Sequence, residues 1–98
     1  MNIIKNQNET TLHIALEGRL DTTTAPVLEK ELQDSLDGVT ALVLDFEKLD
    51  YISSAGLRVL LSTQKTMSKA GEMKLVHVNE TVMEIFEVTG FTDILTIE

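Results

Sequence analysis

Cysteine and tryptophan are both absent from this sequence of 98 residues, and proline occurs once. Without a thiol there is no disulfide framework, no thiolate metal site and no cysteine nucleophile. Aromatic residues are confined to Phe46, Tyr51, Phe86 and Phe91, too few to wall a deep aromatic ligand pocket. No apolar run approaches the roughly 20 residues needed to cross a bilayer. The first residues carry neither the basic region nor the apolar stretch of a secretory signal, so a cytoplasmic protein without membrane insertion is expected. Basic residues are scarce as well. Eight Lys and Arg face sixteen Asp and Glu, a formal net charge of -8, and no Lys or Arg follows Lys74. Such a surface repels nucleic acid and anionic membranes, because no counterion release would favour contact. Copies of the chain also repel one another, which makes a monomer the default.

What is present suits one domain spanning residues 1–98, with 43 % hydrophobic residues, mostly Leu, Val, Ile and Met. Ile3–Lys5 is β-prone, Asn6–Glu9 reads as a turn, and Leu12, Ile14 and Leu16 alternate with polar neighbours as in a half-buried strand. The two segments predict a hairpin. After a loop at Gly18–Thr24, Thr24 is placed as an N-cap with Pro26 in the first helical turn. Ala25, Leu28, Leu32 and Leu36 then recur at helical spacing up to Gly38. Ala41–Phe46 is a dense apolar run broken only by Asp45, the pattern of a central strand covered on both faces. A loop at Glu47–Ser53 leads into the longest helix, Ser54–Ala70, which Gly71 stops. Met73–Val78 is a strand, Asn79 caps a third helix ending at Gly90, and Phe91 is positioned to fold back on Phe86. Asp93–Ile97 reads as a last short strand. The order is β-β-α-β-α-β-α-β. It implies an α/β fold: a mixed, mainly parallel sheet of about five strands, opened by an antiparallel hairpin and carrying three helices.

Chemistry concentrates in Asp50-Tyr51-Ile52-Ser53-Ser54-Ala55-Gly56-Leu57-Arg58. Two hydroxyls stand where a loop becomes a helix, and Ala55 and Gly56 leave the first turn bare for a visiting protein. A helix N-terminus carries about half a positive charge and unpaired N–H groups, so it tolerates an attached phosphate. Serine is also a favoured N-cap, and spacing by itself does not separate a cap from a modification site. Arg58, Ser62, Lys65 and Lys69 follow at intervals of four, three and four, a polar and basic stripe beginning beside Ser54. Asp21 and Asp45 are the carboxylates expected near Ser54, both being read as strand ends on one side of the sheet. His13 and His77 are placed on separate strands without further ligands, so no metal site is expected.

The segment Asp50–Leu61 resembles the phosphorylation segment of the STAS domain, the fold of bacterial anti-sigma factor antagonists. Tyr51 and Ile52 match its apolar pair, Gly56 and Leu57 match its Gly-Leu, and Ser54 falls on the phosphorylated serine. Ser53 stands in place of an Asp, Ala55 in place of a second hydroxyl residue and Arg58 in place of a second glycine. Gly18-Arg19-Leu20-Asp21 with Thr24-Ala25 resembles the family's Gly-Glu-Leu-Asp loop and helix start. Ala70-Gly71, Ile85-Phe86 and Thr89-Gly90-Phe91 resemble its closing elements. The resemblance covers essentially the whole chain.

What it implies is a STAS-like fold and an anti-sigma factor antagonist that works by partner switching. Unphosphorylated, such a protein binds an anti-sigma factor serine kinase; phosphorylation of Ser54, with Ser53 as second candidate, releases it, and a serine phosphatase restores binding. The implied partner surface comprises Asp21, Thr22, Thr23, Ser53, Ser54, Ala55, Gly56, Arg58, Ser62 and Lys65. The alternative is a STAS docking subunit of a transport or lipid-export complex that is never phosphorylated. No enzyme is expected: there is no Gly-x-Ser-x-Gly turn, no Gly-rich phosphate loop with its lysine, and no acidic pair after a first strand. No cofactor is called for.

Overall fold

A computed structural model describes residues 1–98. Its elements are β1 (Asn2–Asn8), β2 (Thr11–Leu20), α1 (Ala25–Ser35), β3 (Ala41–Ile52), α2 (Ser54–Ala70), β4 (Glu72–Val76) and α3 (Glu80–Thr89), followed by a 3-10 turn at Phe91–Asp93. The order of helices and strands follows the hydrophobic periodicity, and several boundaries differ from it: β2 runs through the start of the expected Gly18–Thr24 loop to Leu20, and β4 stops at Val76, short of the expected Val78. β1 runs on to Asn8, and the reversal is a two-residue turn in which Glu9 takes a left-handed φ of 58°. β3 continues through the expected loop to Ile52. Its polar residues there, Glu47, Lys48 and Asp50, face solvent while Leu49 and Ile52 are buried, so polarity marked an exposed face and not a loop. The expected fifth strand is reduced to one bridge between Leu75 and Ile97, because the chain first turns through the short 3-10 segment.

The four strands lie in the order β1-β2-β3-β4, with β1 and β2 antiparallel and the other pairings parallel. Order in space therefore follows order in sequence. Each crossover advances in the same direction, and crossovers of one hand then fall on one side of the sheet. The burial pattern agrees. Leu12, Ile14, Leu16, Leu42, Leu44, Phe46, Met73 and Leu75 join Leu28, Leu32, Leu57, Leu60, Met67, Val82 and Phe86 in a single core of 22 buried residues. On the opposite face Thr11 and His13 are exposed and Ala15, Val43 and Asp45 half-buried. β3 is thus covered on one face, contrary to the reading of its apolar run; Val43 faces outward at the sheet's centre, flanked by strands on both sides. Because strand order never reverses, there is no crevice of the kind formed at a reversal between neighbouring strands.

The helix ends are tied to the core. Asn79 accepts from the Val82 N–H at 2.9 Å and donates to the Leu49 carbonyl at 2.7 Å, linking the start of α3 to β3. Gly90 closes α3 with φ 80°, and Phe91 stacks on Phe86 at 6.4 Å between ring centroids. Phe86 also meets Phe46 at 6.4 Å, and both are fully buried. Gly71 stops α2 for a different reason from that expected. Its backbone is extended, and a Cβ there would sit 1.8 Å from the Thr40 carbonyl oxygen. Contact with a neighbouring segment, not a left-handed turn, requires the glycine.

Candidate functional site

The carboxyl ends of β2 and β3 meet where the Ser53 N–H donates to the Leu20 carbonyl at 2.9 Å. That bond sets the Asp21–Thr24 turn beside the start of α2. Within the turn, Asp21 Oδ1 accepts from the Thr23 hydroxyl at 2.7 Å, the Thr23 N–H at 3.0 Å and the Thr24 N–H at 3.2 Å. Its backbone carbonyl accepts from the Ala25 N–H at 2.8 Å. Asp21 therefore organises the entry to α1. The role expected of Thr24 differs accordingly: its side chain makes no cap to α1, and its hydroxyl accepts from the Asp21 N–H and donates to the Arg19 carbonyl, each at 2.8 Å. The bonds that its carboxylate accepts from Thr23 and Thr24, that from the Thr23 hydroxyl foremost, hold the Asp21 carboxyl below its ordinary pKa. Asp21 is an ionised structural acceptor with little capacity left to act as a base.

The two serines divide the roles that their sequence left open. Ser53 is the N-cap of α2, extended at φ -97° and ψ 175°, and its hydroxyl accepts from the Gly56 N–H at 3.4 Å. Its carbonyl accepts from the Leu57 N–H at 2.9 Å. Ser54 is the first helical residue, is exposed, and its hydroxyl has no hydrogen-bond partner within the chain. No acidic side chain lies in the first turn of α2. The unpaired hydroxyl consequently stands at a helix end whose partial positive charge is not offset by a carboxylate of its own first turn.

Beginning at Ala55, the neighbour of Ser54, a shallow groove between α1 and α2 is lined by Thr22, Ala25, Pro26, Glu29, Ala55, Arg58 and Val59. Thr22, Ala55 and Arg58 of the expected partner surface are thus brought together, and Thr23 is exposed in the adjoining turn. Ser62 borders the next stretch of the same interhelical groove, while Lys65 lies further along the exposed stripe. Gly56 is the exception. Expected to leave the surface bare, it is buried, and a Cβ there would meet Leu20 Cγ at 2.7 Å and Ile52 Cγ1 at 2.8 Å. It lets α2 approach β2 and β3.

Asp45 lies seven positions before the end of β3 and does not approach Ser54 through the strand end. On the uncovered face its Oδ1 is 3.0 Å from His77 Nδ1 and accepts the Glu47 N–H at 3.0 Å. Partial burial works to raise the Asp45 pKa, but the Glu47 N–H and the His77 ring prevail and leave it lowered; the carboxylate in turn raises His77. Contrary to its expected place on a strand, His77 follows the end of β4 at Val76 and takes a left-handed φ of 57°. Donor atoms of Asp45, Glu47 and His77 fall within 4.8 Å of one another, an association that the separation of these residues along the chain concealed. The sequence pattern also gave no notice of Arg19, whose guanidinium lies 4.6 Å from the Tyr51 ring centroid and whose Nε is 3.9 Å from Asp21 Oδ2. The only available signal was the pairing of β2 with β3, which places Arg19 opposite Tyr51.

A small mixed sheet with helices on one face and an unpaired serine opening the second helix defines a class. The STAS domain family model matches residues 2–98, and the chain belongs to that family. Among relatives, BtrV of Bordetella bronchiseptica, provisionally named as an anti-sigma factor antagonist, is 42 % identical over 84 residues, covering 84 % of this chain and 72 % of the relative. The anti-sigma-B factor antagonist of Bacillus subtilis is 31 % identical over 98 residues, covering 99 % and 90 %. The structure of the anti-sigma factor antagonist SpoIIAA in its unphosphorylated form has the same fold, with a TM-score of 0.77, 19 % identity and coverage of 99 % of this chain and 87 % of that one. No helix is long and apolar enough to cross a membrane.

Proposed function

We propose that this protein is an anti-sigma factor antagonist, that Ser54 is its phosphorylated residue, and that it works by partner switching. The unphosphorylated form binds an anti-sigma factor serine kinase through the rim formed by the Asp21–Thr24 turn, the first turns of α2 and the groove between α1 and α2. The names of relatives sharing 42 % and 31 % identity support the antagonist assignment. The observation that carries Ser54 is the division of labour between neighbours: Ser53 is engaged as a cap, and Ser54 is exposed without a partner.

The mechanism follows from charge. A kinase holding ATP transfers its γ-phosphoryl group to Ser54 Oγ: the bond from Pγ to the β–γ bridging oxygen breaks as the Pγ–Oγ bond forms, the serine proton passes to a base of the kinase, and ADP leaves. The new group carries about 1.5 to 2 negative charges at neutral pH. Burying that charge against a partner shaped for a hydroxyl costs several kcal/mol, so affinity falls by about a hundredfold or more. Because the phosphate sits at an exposed helix N-terminus, the fold itself accommodates it. A serine phosphatase returns the protein to its binding form.

Incubation with the cognate kinase and ATP, followed by mass spectrometry of the tryptic peptides, tests this directly. Phosphate is expected on Ser54, absent from Ser54→Ala, and kinase binding should be lost in Ser54→Asp. Phosphate at neither Ser53 nor Ser54, with binding unaffected by Ser54→Asp, would overturn the reading and leave a docking module.

A further inference from the structure

Five of the eight Lys and Arg residues lie within salt-bridge distance of a carboxylate: Lys5 with Glu31, Arg19 with Asp21, Lys30 with Asp34, Lys48 with Glu17 and Lys74 with Glu98. The three that remain are Arg58, Lys65 and Lys69. In a chain with twice as many acidic as basic residues, all the Lys and Arg side chains without an acidic partner thus stand on one exposed face of α2. Arg58 is the first of them. It lies four residues after Ser54, hence on the same face and one turn along, where side chains are about 5 to 6 Å apart at Cβ. Helical side chains lean towards the N-terminus, so Arg58 is inclined back over the turn that contains Ser54.

From this we infer that Arg58 is a clamp for the phosphate on Ser54, so that the modified state is held by the protein itself. The inference rests on Ser54 as the phosphorylated residue. Arginine is well matched to a phosphate, since its planar fork can give two N–H bonds to two phosphate oxygens and it is permanently charged. The free N–H groups of the first turn approach the same anion along the helix axis. Glu29, across the groove from Arg58, and Asp21, in the neighbouring turn, are the carboxylates positioned to compete for the guanidinium. Neither is in an ion pair with it. Asp21 is committed to the Thr23 and Thr24 hydrogen bonds described above.

The clamp has a consequence for switching. In the unphosphorylated protein Arg58 is free to meet an acidic partner group. Once Ser54 is modified, the phosphate competes for that same guanidinium. One modification both adds repulsion and withdraws an attraction.

The test installs phosphoserine at position 54 by co-translational incorporation, so that no kinase is needed, and follows the phosphate by 31P NMR from about pH 4 to 9, spanning its second ionisation. The wild-type phosphate is expected to hold its dianionic form to lower pH than in Arg58→Gln, with the dissociation constant differing by about threefold, the scale of an exposed ion pair. Arg58→Lys should recover part of the difference, and Glu29→Gln should leave or slightly enlarge it. Gln keeps the helix propensity of the position, and the melting curve of each unmodified variant checks its fold. Identical titrations for wild type and Arg58→Gln overturn the clamp while leaving phosphorylation of Ser54 intact. Conversely, a kinase assay that labels no serine sinks the proposed function, whatever the NMR shows for the installed phosphate.

Discussion

Ser53 and Ser54 are adjacent, chemically identical and structurally opposite. The Ser53 hydroxyl supplies an acceptor to a helix that begins with several unpaired donors, whereas Ser54 supplies nothing to the fold. Their alanine variants should separate accordingly. Ser53→Ala is expected to lower stability by about 1 kcal/mol, the usual cost of losing a serine cap. Ser54→Ala should change it by less than about 0.5 kcal/mol, as for other exposed positions without contacts. Urea denaturation of the two variants side by side checks both values. Equal losses would mean that the Ser54 hydroxyl also supports the helix. Sequence pattern started the helix at Ser54, as found, and resemblance put the phosphate there, but which hydroxyl is engaged as a cap and which is left free is fixed only by backbone geometry.

At the scale of elements, the glycine in the first turn of α2 and the one that stops it show how closely its ends are held. Gly56 admits Leu20 and Ile52 against the helix backbone, and Gly71 brings the other end against Thr40. The neighbours of Gly56 are side chains with some freedom to shift, whereas the contact at Gly71 is a backbone carbonyl next to a strand fixed by pairing with β4. Gly71→Ala is therefore expected to be the more damaging change. Overpacking of a side-chain contact typically costs about 1 to 3 kcal/mol, and the backbone clash should exceed that range. Thermal melts of Gly56→Ala and Gly71→Ala should rank them in this order; the reverse order would show that the α2–β4 turn moves aside easily. Gly71 was legible in the sequence as a helix stop, whereas Gly56 was read as baring the surface. The cause at Gly71 was not legible, since a glycine required by a distant carbonyl looks the same as one required by a left-handed turn.

For the whole molecule, the perturbed ionisable groups define a pH window. Asp21 and Asp45 are lowered by the hydrogen bonds that they accept, against the opposing effect of burial, so their contribution is present above about pH 3.9, the ordinary unfolded value, and is lost as pH falls through the folded values. His77 is raised by Asp45, so its contribution is complete below about pH 6.5 and is lost as pH rises through its folded value. Stability should accordingly be greatest in the mildly acidic range between these edges. Relief of the excess negative charge acts in the same direction as pH falls below neutrality. Urea midpoints measured from about pH 3 to 9 check the window. In His77→Gln the decline on the alkaline side should become shallower, and an unchanged profile would show that His77 contributes nothing to it.

Periodicity and turn chemistry by themselves determined the three helices and the opening hairpin, because these depend on residues a few positions apart; the alternation of strands with single helices implied parallel pairing. The Asn79 cap and the packing of Phe91 on Phe86 were legible for the same reason. Only the tertiary structure decided that the sheet is bare on one face, that Asp45 meets His77 and not the start of α2, that Gly56 points inward, and that Ser54 has the free hydroxyl. Each of these depends on which strand lies beside which and on the direction a backbone takes at a junction, information distributed over residues that are distant in the chain.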